Sequence, residues 1–218
     1  FVAVFRGQYR DASGDAVIGQ RFDANGGKVG NEFLVNTTAD GSQHQPAVSA
    51  LADGGFAVAW YSNGSRDGEY YDVFFQRFGA SGNAVGLETR ANTPISGNAF
   101  TYQSEPSIVQ LSNGDILVAW RSDGQDGSQS GVYAQRFDSS TGNKIGSEFR
   151  LNIYTDDFQY APSVTATASG FVAVWTSRGQ DSSVDGVYAR LFNNDGSPAS
   201  AEFRVNDTYY NWQNAPQV

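Results

Sequence analysis

One motif family returns four times along the chain, and this limits the fold more than any other feature. Phe5, Trp60, Trp120 and Trp175 close four similar segments, FVAVF, FAVAW, ILVAW and FVAVW, separated by 55, 60 and 55 residues. Phe22, Phe78, Phe137 and Phe192 form a second series, and Asn36, Asn92, Asn152 and Asn206 a third. A Gln-x-x-Pro box is the fourth: Gln43 and Pro46, Gln103 and Pro106, Gln159 and Pro162, Gln213 and Pro216. Four anchors in one order at nearly one spacing are the mark of a repeat architecture.

Each copy reads as four short strands. The first follows the proline (AVSAL, SIVQL, SVTAT), the second is the FVAVW segment, the third is like GVYAQRF, and the fourth is like EFRLN. Aromatic and β-branched runs bounded by Gly, Asn and Asp are strand and turn signals, and no segment sustains a helical period. The second strand is apolar on both faces, as sheets packed face to face require. The expected fold is all-β: a four-bladed β-propeller with four antiparallel strands per blade. It is closed by N- and C-terminal strands sharing one blade, since the chain ends on NAPQV and opens on FVAVF. Residues 1–218 form one domain, with repeats near 1–55, 56–115, 116–170 and 171–218. That domain is expected to be part of a longer secreted protein.

Composition then narrows the function. A net charge of −9 leaves no basic stripe for a phosphate backbone, so no nucleic acid is expected. No apolar run reaches the length of a membrane helix, so no membrane insertion is expected. With no cysteine and His44 as the single histidine, disulfides, thiol chemistry and most histidine mechanisms are excluded.

The string SDGQDGSQSGVYAQRFDSSTGNKIGSEFRLN at 122–152 resembles repeats of very large secreted bacterial proteins, the RTX and adhesin type that accompany hemolysin-type calcium-binding modules. The first two copies depart from it in the loop. The resemblance implies an extracellular or cell-surface location and defines no activity. A four-bladed architecture is also similar to hemopexin-like domains, whose axial channel holds ions, which is a likeness of fold alone.

Three sets of residues are candidates for function. Asp11, Asp67, Asp126 and Asp181 each stand six residues before the valine of the third strand, with Asp123, Asp185, Asp15, Asp72 and Ser128 close by. Oxygen-rich, glycine-bearing loops suit Ca²⁺. The alternative is that each aspartate caps its own loop as an Asx-turn. Glu32, Glu88, Glu148 and Glu202 recur shortly before the Asn anchors, and are expected on outer strands, paired with Arg90, Arg150 and Arg204.

The third set surrounds the Gln-x-x-Pro box, at the entry to the innermost strand. Tyr102, Phe158 and Trp212 precede Gln103, Gln159 and Gln213, whereas Ser42 precedes Gln43; Phe100, Tyr154, Tyr160, Tyr209 and Tyr210 add to the crowd. Aromatic faces beside amides suit sugar rings, and they equally suit wedging neighbouring blades together. No nucleophile motif accompanies any serine, and the candidate carboxylates repeat where a catalytic group would stand once, so no enzyme activity is expected. The expected function is an extracellular binding module for a glycan or other ligand at an aromatic axial mouth, with calcium as the candidate cofactor. The second reading is a structural spacer or self-assembling subunit of an adhesin, sheath or filament. Its partners would be a glycan, another protein or copies of itself.

Overall fold

The computed structural model describes residues 1–8, 10–11, 14–64, 71–95, 102–181, 184–207 and 211–218. Among these there is no helix; the described chain is all-β, and every strand pair within its sheets is antiparallel. Sheet I is β1 (Val2–Gly7), β2 (Ala16–Phe22) and β3 (Lys28–Leu34). Sheet II is β4 (Gln43–Ala50), β5 (Phe56–Ser62), β6 (Asp72–Phe78) and β7 (Ala84–Arg90). Sheet III is β8 (Gln103–Gln110), β9 (Ile116–Asp123), β10 (Ser130–Phe137) and β11 (Lys144–Arg150). Sheet IV is β12 (Gln159–Ala166), β13 (Gly170–Arg178), β14 (Asp185–Asn193) and β15 (Phe203–Arg204).

Every sheet is a meander of hairpins in sequence order, because each connection is short and ends in a residue fit for its turn. The turns after the third strands place Gly26, Gly82, Gly142 and Gly196 at φ 80°, 84°, 81° and 86°, where a side chain is disfavoured. The second strands of sheets II, III and IV are buried on both faces, and Trp60, Trp120 and Trp175 have no exposed surface. These strands form the middle of three apolar layers. One joins Val2, Val4, Val17 and Phe33 of sheet I to Phe56, Val58, Trp60 and Phe78 of sheet II. The second joins Ala57, Ala59 and Phe75 to Ile116, Trp120 and Phe137. The third joins Leu117, Ala119 and Val132 to Phe171, Trp175 and Phe192.

Polar staples cross the same three seams. Arg21, Arg77 and Arg136 each donate to a turn carbonyl of the next sheet: Ala80 (2.8 Å), Ser139 (2.6 Å) and Asn194 (3.1 Å). In return, Glu88, Glu148 and Glu202 accept backbone N–H bonds from Thr37, Thr93 and Ile153 of the sheet before. The glutamates are therefore interface staples. Glu32 instead pairs with Arg10 at 2.9 Å. The expected pairing with recurrent arginines gives way to other partners: Arg90 holds Asp72, Arg204 approaches Asp181, and Arg150 donates to the Asn152 carbonyl.

The expected blade shared by the two chain ends is not found among the described residues. β1 pairs with β2 alone, and residues 213–218 form no strand. Ala215 N donates to Thr176 Oγ1 and Val218 N to Ser163 Oγ, so this segment lies against sheet IV. Ser163 meets Val218 as Ser107 meets Val164, so the segment follows the course of an inner strand without pairing as one.

Candidate functional site

The inner strands begin on a distorted element. Gln45, Glu105, Ala161 and Ala215 each precede a proline of the box and have φ of 46°, 55°, 51° and 52°. In β4, β8 and β12 the pairing register shifts at this point, which is a β-bulge. The bulges bring all four segments to one central cavity of about 510 Å³, lined by Pro46, Pro106, Pro162, Gln45, Ala161 and Glu105 among others. Glu105 is its only lining carboxylate. The equivalent positions hold Gln, Ala and Ala, so the fold does not ask for an acid there.

Glu105 Oε2 accepts the backbone N–H of Ala161 at 2.6 Å, and its Oε1 lies 3.8 Å from Arg121 Nη1. Arg121 Nε in turn donates to Asp123 Oδ1 at 2.8 Å. Burial pushes the Asp123 carboxyl above the usual carboxylate range against the pull of Arg121. Beside this group, Arg121, Phe158, Tyr160 and Arg178 line a recess of about 180 Å³. The Arg121 and Arg178 guanidinium carbons lie 5.7 and 5.5 Å from the Phe158 ring centre, and Arg178 lies 5.6 Å from that of Trp212. Arg178 Nε reaches Asp185 Oδ1 at 3.4 Å, and Tyr160 Oη donates to Asp185 Oδ2 at 2.9 Å. Burial, then the bond to Asp185, pushes the Tyr160 phenol up to about 12. His44 meets Arg6 and Tyr61, and burial followed by Arg6 lowers its affinity for a proton.

Of the aromatics expected at the rim, Phe100, Tyr209 and Tyr210 lie outside the described residues. Tyr102 is 40% exposed and stacks on Tyr71 at 5.0 Å, Phe158 lies between the two arginines, and Trp212 is 61% exposed. The glutamines expected beside it are elsewhere. Gln43, Gln103 and Gln159 have no exposed surface. Gln43, Gln159 and Gln213 accept from Asn36, Asn152 and Asn206, and Gln103 accepts from the Trp120 indole. They hold the loop network together because a buried amide must be paired; Gln213 is only half-buried.

The recurrent aspartates cap loops. Asp11 accepts from Gly14 N and Asn36 Nδ2, Asp126 accepts from Ser128 N, and Asp181 approaches Arg204. Asp67 lies outside the described residues. Asp123 and Asp185 belong to the arginine clusters above. Among the described residues no three acidic or imidazole groups are placed to hold a metal ion. Glu105, Arg121 and Arg178 were not among the sequence candidates. Glu105 and Arg178 depart from the repeat, Arg178 standing where Gln8, Asn63 and Asp123 stand, whereas Arg121 shares its position with Arg6 and differs from Tyr61 and Thr176.

A different cavity, about 380 Å³ between sheets I and II, is lined by Phe1, Val2, Phe22, Val48 and Phe56 with Arg21 and carries no carboxylate. The charged groups gather beside the bulges of the inner strands.

No family model and no curated protein matches the sequence. Solved structures do match the fold. An α-L-arabinanase from Penicillium chrysogenum, complexed with arabinobiose, aligns with a TM-score of 0.63 at 11% identity, covering 99% of this chain and 62% of that one. An α-L-arabinofuranosidase from Fusarium graminearum aligns at 0.63 and 12%, again covering 99% and 62%. The arabinanase Arb43A of Bacillus subtilis aligns at 0.56 and 10%, covering 100% and 80%. At such identities the likeness establishes the fold alone, that of β-propeller glycoside hydrolases. It overturns the expected kinship with RTX and adhesin repeats, which do not appear among these neighbours. The reading of a non-catalytic binding module or spacer falls with that kinship, as do the exclusion of enzyme activity and the assignment of partners as binders or copies of the chain.

Proposed function

We propose that this chain processes glycans, cleaving a glycosidic bond at the axial mouth between Asp123 and Glu105. The observation that carries the reading is a carboxylate that the repeat does not require, placed across Arg121 from a second carboxylate whose proton affinity burial raises. Glycoside hydrolysis uses such a pair: one acid protonates the leaving oxygen and the other carboxylate activates the attacking water. Asp123 suits the acid, because its Oδ1 is taken by Arg121 Nε and the raised proton affinity keeps the group protonated further up in pH. Glu105, fixed by the Ala161 amide on the cavity wall, suits the second carboxylate. The fold supports the reading, since its solved neighbours include arabinanases and arabinofuranosidases. Arabinan and aryl arabinofuranosides are accordingly the first substrates to offer.

Product release from a panel of aryl glycosides and plant polysaccharides tests the proposal. Glu105→Gln and Asp123→Asn should each lower kcat by about 100-fold or more, within the range of general acid–base catalysis, with an unchanged melting temperature. Activity of the parent should fall as pH rises through the raised Asp123 value, and Asp123→Asn should remove that limb. No turnover on any member of the panel, or full turnover by both variants, overturns it.

A further inference from the structure

Two guanidiniums stand beside the carboxylate pair: Arg178, which occurs in one copy of the repeat, and Arg121, whose position Arg6 holds in the first copy. Both are gripped in the same way. Asp123 takes Arg121 through Nε at 2.8 Å, and Asp185 takes Arg178 through Nε at 3.4 Å. Glu105 stands 3.8 Å from Arg121 Nη1, beyond hydrogen-bond reach. Asp185 is itself fully buried and accepts from Tyr160 as well as from Arg178 Nε, which fixes the plane of the guanidinium. A guanidinium anchored at Nε presents its outer N–H pair as a fork, the geometry that takes a carboxylate through two parallel bonds. Both forks border the recess of about 180 Å³ formed with Phe158 and Tyr160, and the exposed Trp212 ring lies beside Arg178.

From this we infer that the glycan is acidic: a uronic acid residue places its carboxylate in the recess against Arg178 and Arg121 and its ring on Trp212. The inference rests on the glycan reading and narrows its substrate class. Both guanidiniums are paired through one side with carboxylates of the protein and border the recess with Phe158 and Tyr160, in a chain whose net charge is −9. An acidic surface repels anions at long range, so a recess of this sign selects the few ligands whose shape brings the charge to the forks.

Calorimetry on the full chain, using a glucuronic-acid-bearing xylo-oligosaccharide, its methyl ester and a neutral arabino-oligosaccharide, provides the test. The acid should bind at least tenfold tighter than the ester. Arg178→Gln should abolish that preference, Arg121→Gln should reduce it, and Arg178→Lys should restore part of it, because charge without the fork is a weaker match. Thermal melts confirm that the variants fold. Equal affinity for acid and ester, a preference that survives Arg178→Gln, or binding of the neutral sugar alone overturns the inference. Selective binding of the acid without cleavage of any glycan sustains this inference and sinks the hydrolase; cleavage of arabinan with indifference to the carboxylate does the reverse.

Discussion

At the scale of single residues, the asparagine anchors show what the repeat preserves. Asn152 accepts from Val132 N at 2.9 Å, and its amide donates to the Tyr154 carbonyl and to Gln159 Oε1. One side chain thus terminates a strand, shapes the following loop and holds the entry to the next inner strand. Asn36 and Asn206 repeat the amide link, and Asn92 caps Val73 N at the same distance as Asn152 caps Val132. Deleting such a group leaves a buried N–H and a buried glutamine oxygen unpaired, each costing about 1–3 kcal/mol. Asn152→Ala should therefore destabilise by about 2–4 kcal/mol in urea titration, a loss too large for a surface polar residue. A cost below about 0.5 kcal/mol would mean that water replaces the network. The same residues explain why the glutamines misled. Gln beside an aromatic suits a sugar, but Asn seven residues earlier claims Gln159 first, and only the fold reveals that pairing.

Among the elements, the bulge at the head of each inner strand brings sequence to the site. Strand identity was legible from four anchors at one spacing, because strands packed on both faces need the same apolar residues in every copy. The left-handed residue before each proline was not legible, since that position ordinarily favours extended backbone. Nor was the site, because a search for recurrent residues finds what the fold needs, whereas Glu105 and Arg178 are exceptions to the recurrence and Arg121 recurs only as Arg6. The bulge itself can be tested at Ala161, whose φ of 51° is disfavoured for a residue with a Cβ. Left-handed backbone costs alanine about 1–2 kcal/mol, against about 0.4–1 kcal/mol for the greater freedom of glycine when unfolded. Ala161→Gly should therefore stabilise by about 0.5–1 kcal/mol in chemical denaturation while keeping the amide that Glu105 accepts. Destabilisation of similar size would argue for an extended backbone at this position.

For the whole molecule, the question is how much each sheet owes to its neighbours. Three seams join sheets I–II, II–III and III–IV, each an apolar layer crossed by an arginine and a glutamate. Two of the seams carry a phenylalanine that caps a stacked pair on the next sheet: Phe33 over Phe56 and Phe78, and Phe149 over Phe171 and Phe192. Phe203 stands at the same place on sheet IV and is 44% exposed, and Leu191 replaces the arginine of the forward staple. Sheet I offers the matching pair, Phe1 stacked on Phe22 at 4.9 Å, with Phe1 73% exposed and Phe5 40% exposed where the other copies bury tryptophan. Burial sets what a ring contributes. Phe149→Ala should therefore cost about 2–3 kcal/mol, and Phe203→Ala no more than about 1 kcal/mol, in matched urea titrations. Equal losses would mean that the outer face of sheet IV is covered in solution, and Phe1→Ala should then cost a comparable amount, since the stacked pair on sheet I is the surface its shape fits.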